Sequence, residues 1–376
     1  MVKNKEKVIV AMSGGVDSSV AAVLLKEAGY DVVGVTMRLW SIKNDSVSKS
    51  SKPCCSVEDI DDARRVCQKL DIPHYVQNFE REFQKYVVDY FCEEYDSGRT
   101  PHPCLACNDR IKFDFLLRRA MFLDADYIAT GHYARIARHG DSSQLCKAVD
   151  ATKDQSYVLF TLSQNEINRL LLPIGEYPKS QIRLIAKNAG LKVANKPDSQ
   201  EICFIPDNDY RKFISKRLEA KPGKFIDVNG NIIGDHPGVH FFTIGQRRKL
   251  GLQGNSTSPY YVININSDSY EVTLGNEEDL YRTKLWASRV NYISGITPNV
   301  PIQVTAKIRY KSNEAPATMT AYEGWSEIIF DEPQRAITPG QAVVFYNKDV
   351  VIGGGYIETG TMPNREKVKS HKEISI

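Results

Sequence analysis

An α/β domain built on a parallel sheet, followed by a small central β domain and a C-terminal β-barrel, is the fold class that this 376-residue sequence predicts. Three observations carry it. A glycine- and serine-rich turn, Ala11 to Ser19, lies between an apolar run and a helical pattern inside one βαβ unit. Helical periodicity vanishes at Lys221-Pro222-Gly223, where turn residues take over. From about Leu285 short alternating segments recur at even spacing, as in a small barrel. The expected division is 1–220, 221–284 and 285–362, with 363–376 read as a charged, disordered tail.

Composition narrows the functional classes. Forty-nine basic residues against 46 acidic give a net charge of +3, which permits a nucleic-acid partner without arguing for one, so any RNA-binding face must be local. No apolar run reaches membrane-spanning length. The charged start, Met1 to Lys7, leads straight into a strand, so no secretory signal is expected. Eight cysteines in such a chain suggest a reducing cytoplasm, with thiols buried, catalytic or metal-bound rather than paired.

In chain order, Val8–Ala11 reads as a buried strand, Val20–Ala28 as a helix ended by Gly29, and Val32–Trp40 as a second strand. In the turn between them, Gly14 and Gly15 permit close approach of a ligand, and Ser18 and Ser19 open a helix whose free N–H groups favour an anion. A capped helix after a tight turn would use the same residues. No G-x-x-x-x-G-K-[ST] occurs, so the lysine that serves the β- and γ-phosphates in that motif is missing. Residues 41–55 read as a surface loop closed by Cys54-Cys55, which receive no role. Ser56 and Asp59 suggest a capping box, and Ile60, Ala63, Cys67 and Leu70 a helix with Cys67 in the core. A strand over His74–Phe79 and a helix over Phe83–Glu94, with Cys92 structural, follow.

Pro101 and Pro103 argue for an extended loop over 98–109, with Asn108 or Asp109 capping a helix through Phe113, Leu116, Leu117 and Ala120. Cys104 and Cys107 form a C-x-x-C pair that reads as part of a metal site, a redox pair or Fe–S ligands, with thiol pKa values lowered by a helix N-terminus. The absence of a second C-x-x-C argues against a Cys₄ zinc site. Tyr127–Ala129 is a strand ending at Thr130-Gly131-His132-Tyr133, on the side where open parallel sheets bind ligands. His132 alone reads equally as a structural histidine. A hairpin over 135–150 turns at His139-Gly140-Asp141. Ser163 with Glu166, and Ser180, start helices, and Gly190 ends the second. Cys203, between Ile202 and Phe204, taken alone reads as core. Asp207–Glu219 reads as a basic helix, Asn229-Gly230 as a hairpin turn, and Arg247-Arg248-Lys249 as a solvated loop or a phosphate contact. Barrel strands are expected over Val304–Tyr310, Ala317–Tyr322, Glu327–Phe330, Ala342–Tyr346 and Val350–Ile357.

Ser13-Gly14-Gly15-Val16-Asp17-Ser18-Ser19 resembles the pyrophosphate loop of the PP-loop ATPases (adenine nucleotide alpha hydrolase-like), which cleave ATP to AMP and pyrophosphate. That loop with Thr100–Asn108, Ala129–Tyr133, Lys153–Tyr157, Asp198–Ile205, Thr243–Gly251, Ile308–Tyr310 and Thr338–Gln341, in this order over about 1–360, resembles the MnmA (TrmU) family of tRNA-specific 2-thiouridylases. The resemblance implies ATP-dependent replacement of the C2 oxygen of the tRNA wobble uridine by sulfur, through adenylation and a cysteine persulfide. It implies that Ala11, Met12, Ser13, Gly14, Gly15, Val16, Asp17 and Ser18 hold ATP with Mg²⁺, beside Met37 and Gly131. It places tRNA contacts at His132, Lys153, Asp154, Gln155, Arg309, Tyr310 and Gln341, with the target base flipped out. Cys203 would carry the persulfide and Cys107 would attack it, leaving a Cys107–Cys203 disulfide. The implied partners are tRNA and a persulfide donor or relay protein in the cytoplasm, with no membrane.

One departure stands out. The usual N-P-D-x-x-C-N is here His102 to Asn108, with Cys104 where the family carries Asp. A rival reading therefore makes Cys104, Cys107 and Cys203 ligands of an Fe–S cluster. Another PP-loop adenylating enzyme, such as an amidotransferase, and a non-catalytic RNA-binding protein that keeps ATP only as a ligand are the competing functions.

Overall fold

The computed structural model describes residues 5–40, 57–115, 124–140, 142–198, 202–205, 209–252 and 259–360. The 41–55 loop with Cys54-Cys55, Ser56, Leu116, Leu117, Ala120, Asp141 and the 363–376 tail lie outside them.

The N-terminal part follows from continuous apolar runs such as Val8–Ala11, which need cover on both faces. Strands β1 (Lys7–Ala11), β2 (Asp31–Arg38), β3 (His74–Asn78) and β4 (Tyr127–Ala129) pair in parallel, with Val8 opposite both Val32 and Tyr127. A hairpin, β5 (Ala134–His139) and β6 (Ser142–Lys147), precedes the short edge strand β7 (Leu170–Leu171), and the sheet order is β3-β2-β1-β4-β7. Ile9 joins the core on one face while Val8 and Val10 join the core on the other, the period-2 outcome of a strand buried on both sides.

Helix α1 (Val16–Glu27) begins four residues earlier than periodicity suggests, because Gly15 serves as its N-cap. Gly29 (φ +93°) follows its C-cap, as expected. Helix α2 (Val57–Lys69) buries Cys67, whose thiol burial pushes up to about 11. The next helical run comprises α3 (Glu80–Phe83), a π-helical stretch (Gln84–Asp89) and α4 (Tyr90–Asp96), with Cys92 buried. The extended loop expected over 98–109 is corrected by the structure. Helix α5 (Pro103–Ala106) opens at His102 and runs into a π-helical stretch, Cys107–Phe115. Proline at the first helical position loses no hydrogen bond and brings a suitable φ, so Pro103 starts the helix rather than preventing it. Neither Asn108 nor Asp109 is a cap.

Helix α6 (Gln164–Asn168) starts where Ser163 and Glu166 predict a helix start, and the two form a capping box. Helix α7 (Lys179–Asn188) is capped by Pro178, so Ser180 lies inside it. Helix α8 (Tyr210–Ser215) is shorter than the basic pattern over 207–219. The central domain holds β8 (Gly223–Ile226), β9 (Ile232–His236), β10 (Tyr261–Asn266) and β11 (Glu271–Gly275), in the order β10-β11-β8-β9, with the expected turn at Gly230 (φ +84°).

The C-terminal strands are β12 (Tyr281–Tyr292), β13 (Ile302–Lys307), β14 (Ala315–Tyr322), β15 (Trp325–Arg335), β16 (Ala342–Asn347) and β17 (Val350–Ile357). They run β12-β15-β14-β13-β16-β17, and β12 pairs with β17 to close the barrel. Val304, Ala317, Met319, Ile328 and Phe345 fill its interior. The β5–β6 hairpin docks on β17, with Val350 opposite Cys146, so the barrel sheet extends into the N-terminal domain.

The segment before α5 is clamped from outside. Arg99 donates to Glu94 (2.8 Å) and to Glu358 at the end of the barrel. Thr100 N–H donates to Pro339 O (2.9 Å), and its hydroxyl donates to Thr243 Oγ1 of the central domain (3.2 Å). Gly340 lies against Thr100 so closely that a Cβ there would sit 2.9 Å from its nitrogen. Arg99→Met would leave two largely buried carboxylates without their cation. The expected cost is about 3 kcal/mol, the scale of breaking a buried pair, read from the urea midpoint at constant m-value. A loss below ~1 kcal/mol, typical of an exposed pair, would show that other contacts hold the junction.

Candidate functional site

The Ala11–Ser19 turn leaves the carboxyl end of β1, the middle strand of the sheet, where neighbouring connections diverge and a crevice forms. Met12 N–H donates to Val35 O (2.8 Å), which fixes the start of the turn. Ser18 Oγ accepts from Ser13 N–H at 3.1 Å and lies 3.1 Å from Ser13 Oγ, while Ser19 Oγ donates to Gly15 O at 2.7 Å. Gly14 has φ +70°, and a Cβ there would lie 2.2 Å from Asp59 O, so this position requires glycine twice over. Lys196 Nζ donates to Gly14 O (2.9 Å), Asp59 Oδ1 (2.6 Å) and Asp62 Oδ2 (2.8 Å), which pins the turn to α2.

The end of β4 meets the same turn. A Cβ on Gly131 would lie 2.5 Å from Ser18 N and 2.7 Å from Asp17 C, so Gly131 lets the two backbones touch. Tyr133 OH donates to Asp17 Oδ1 (2.8 Å), and burial, then the Asp17 charge, raises the phenol's pKa. His132 is buried beside Phe113, with its Nδ1 2.8 Å from Thr130 Oγ1. Burial, then Lys112, holds its pKa well below the ordinary histidine value, so the ring is neutral at pH 7.

A chain of alternating charges leads from the turn toward the second cysteine segment. Lys179 Nζ donates to Asp17 Oδ1 (2.7 Å) and Oδ2 (2.8 Å) and pairs with Asp198 Oδ1 at 2.9 Å. Asp198 also accepts from Lys153 (2.9 Å) and Arg183 (2.8 Å). Burial alone would raise the Asp198 pKa, but the hydrogen bonds from Lys153 and Lys179 hold it at about 2. Asp154 is engaged internally, accepting from Ala148 N–H (2.9 Å) and Ser156 Oγ (2.8 Å), and Gln155 Oε1 accepts from Tyr133 N–H (2.9 Å).

Cys107, Cys203 and Tyr310 share one extended hydrophobic core. Met37 and buried Cys107 belong to it, and Cys203 and Tyr310 pack against it. Cys104 is exposed. The Tyr310 ring lies 6.3 Å from His102 and 5.9 Å from Tyr157, and its pKa is raised by burial, then by the charges of Asp154 and Cys104. Burial pushes His102 down to about 4, so this ring is also neutral. Gln341 Nε2 donates to Thr100 O (2.8 Å), and Arg309 Nη2 to Arg335 O (2.7 Å).

No disulfide joins any described cysteines, so the Cys107–Cys203 bond expected as an end state is not formed here. Among the described residues no three His, Cys, Asp or Glu side chains converge into a metal-holding group. Cys104, Cys107 and Cys203 therefore do not form the three-ligand set of the Fe–S reading. Arg247, Arg248 and Lys249 line a cleft of about 420 Å³ with Arg211 and Tyr210 of α8. Sequence reasoning did not single out Tyr133, Lys179, Arg183 or Lys196. Lys179 carries a signal in its position, a cation at the N-terminal end of a helix.

Comparison with known proteins covers nearly the whole chain. The family described as tRNA methyl transferase HUP domain matches residues 6–207, the tRNA methyl transferase PRC-barrel domain matches 211–276, and the aminomethyltransferase beta-barrel domain matches 282–357. The tRNA-specific 2-thiouridylase MnmA of Clostridium beijerinckii is 50% identical over 358 residues, 94% of this chain and 99% of the relative. Its counterpart from Carboxydothermus hydrogenoformans is 50% identical over 359 residues, 94% and 98% of the two chains. The 2-thiouridylase MnmA 1 of Clostridium botulinum strain Hall is 51% identical over 357 residues, 94% and 99%.

The depressed Asp198 pKa makes the charge chain acid-sensitive. Its stabilisation is complete above the unfolded-chain value of about 4 and is lost as pH falls through about 2. Asp198→Asn should therefore destabilise the protein by roughly 1–2 kcal/mol at pH 7, discounted for partial exposure. The difference from wild type should shrink between pH 4 and pH 2 in urea titrations. A difference that does not change with pH would mean that Asp198 is not held ionised by its lysines.

Proposed function

The chain belongs to the MnmA family of tRNA-specific 2-thiouridylases, which are tRNA sulfurtransferases, and from that premise we propose an ATP-dependent, persulfide-mediated 2-thiolation of the wobble uridine. The observation that supports this reading is the charge chain that runs from Asp17 of the glycine-rich turn through Lys179 to Asp198, five residues before Cys203. It ties the turn expected to hold ATP to the segment that carries Cys203.

ATP lies along the Ala11–Ser18 turn, with phosphates toward the free N–H groups of α1. Asp17 is the carboxylate suited to Mg²⁺, which takes one or two carboxylates together with substrate phosphates. The uridine O2 attacks the α-phosphorus, and the bond to the bridging oxygen breaks with pyrophosphate taking the electron pair. The N3 proton is lost as C2 gains its double bond to N3. The terminal sulfur of the Cys203 persulfide, as its anion, then adds at C2 and AMP leaves. The Cys107 thiolate attacks Cys203 Sγ and breaks the S–S bond. Sulfur stays on C2, N3 is reprotonated, and the Cys107–Cys203 disulfide awaits reduction by an external thiol. Neutral His102 beside Tyr310 offers an aromatic wall for a flipped base. The cleft of Arg211, Arg247, Arg248 and Lys249 supplies phosphate contacts that a nearly neutral chain needs from local clustering.

Incubation with tRNA, ATP and a persulfide donor should yield 2-thiouridine, AMP and pyrophosphate, read by nucleoside mass spectrometry. Cys107→Ser and Cys203→Ser should each abolish 2-thiouridine, while Cys104→Asp, which restores the usual family residue, should retain it. A Cys203→Ser variant that still thiolates tRNA would overturn the persulfide route.

Charge reversal of Arg247, Arg248 and Lys249 should weaken tRNA binding and flatten the dependence of log K on log salt by roughly 2–3 units for three lost contacts. An unchanged slope would remove this cleft from the interface.

A further inference from the structure

The turn lacks the lysine that a Walker-type loop would aim at the phosphates, yet an ammonium group stands at its mouth. Lys179 is the first residue of α7, where a cation opposes the helix dipole and a carboxylate would be favoured. Its backbone N–H is already satisfied by Asp150 Oδ2 at 3.0 Å, so the side chain is not needed to cap the helix. All three ammonium donors have carboxylate partners, two on Asp17 and one on Asp198. The side chain is only 11% exposed and its nitrogen lies 5.5 Å from the Tyr133 ring centre.

We propose that Lys179 is the phosphate-facing cation of this site, supplied from α7 in place of the missing loop lysine. The proposal rests on the ATP reading above. With Mg²⁺ bound, Asp17 would be the carboxylate that holds it, and Lys179 would exchange that carboxylate for a phosphate oxygen. Asp198 stays as its second partner, so no charge is left unpaired during the exchange. As the bond between the α-phosphorus and the bridging oxygen breaks, charge grows on pyrophosphate, and an ammonium at that position stabilises it. Because Asp198 also holds Lys153 and lies five residues before Cys203, the same cation connects the phosphate end of the site to the persulfide segment. Lys179 thus discharges two tasks, contacting the departing pyrophosphate and positioning the Asp198 segment.

The test is calorimetric titration of the full chain with inorganic pyrophosphate and with ATP, each with Mg²⁺. Lys179→Met should weaken pyrophosphate binding by roughly 10- to 100-fold, the scale of one charged hydrogen bond. Lys179→Gln, which keeps a polar side chain of nearly the same length, should show the same loss and gives the readout if Lys179→Met fails to fold. A purely structural ion pair predicts unchanged pyrophosphate binding in the folded variants, with the cost confined to the urea midpoint. Pyrophosphate binding at the wild-type level by folded Lys179→Met or Lys179→Gln would overturn the proposal. Wild-type protein that binds neither pyrophosphate nor ATP would overturn the ATP reading itself.

Discussion

One ammonium group, Lys179 Nζ, held between Asp17 and Asp198, is the constraint on which the arrangement of the site depends. Asp17 belongs to the first turn of α1, Lys179 to α7, and Asp198 to the segment that leads to Cys203. Remove the cation and two carboxylates on separate segments face one another across a partly buried space. Lys196 performs the complementary task two residues from Asp198, holding the Gly14 carbonyl and two aspartates of α2. Burial works against its charge, but the Asp59 and Asp62 hydrogen bonds raise its pKa nonetheless. The tripeptide from Lys196 to Asp198 is thus fastened to the turn at both ends.

The thiol-bearing helix is positioned by different means. Cys107 is packed into the hydrophobic core, while Arg99, Thr100 and Gln341 fix the approach to α5 from the barrel side. Phe204, next to Cys203, meets Phe83 and Phe91 edge-on at 5.7 and 5.3 Å. Such contacts give each cysteine a rigid neighbour on the backbone, although the two lie in segments nearly one hundred residues apart.

Much of this was legible in the residues. The uninterrupted apolar run Val8–Ala11 announced a buried strand, and β-branched residues with Gly turns announced the barrel. Ser163 with Glu166 foretold a helix start, and the structure has a capping box there. Pro103 misled because the same residue that stops a helix interior is favoured at its first position, and local pattern does not say which applies. The π-helical stretches at 84–89 and 107–115 carry no local mark that periodicity detects, since tertiary packing selects them. The site divides along the same line. The turn and the cysteines are sequence-local motifs. Lys179, Lys196 and Tyr133 matter only because the sheet brings them within 3 Å of partners more than one hundred positions away.

The clamp on Arg99 and Thr100 has a consequence for biosynthesis. Ribosomes deliver the chain from the N-terminus, and domains generally fold in that order. Here the approach to Cys104 and Cys107 closes only on Pro339, Gly340, Ile357 and Glu358, and the β5–β6 hairpin finds its barrel partner only at Val350. These pairings span more than two hundred residues, so they close late and carry a large loop-closure cost. The thiols are therefore translated long before their surroundings are complete. A nascent chain passes through an interval with its sulfur chemistry unassembled and the edge of β6 unpaired, and that interval ends only when the last barrel strand has left the ribosome.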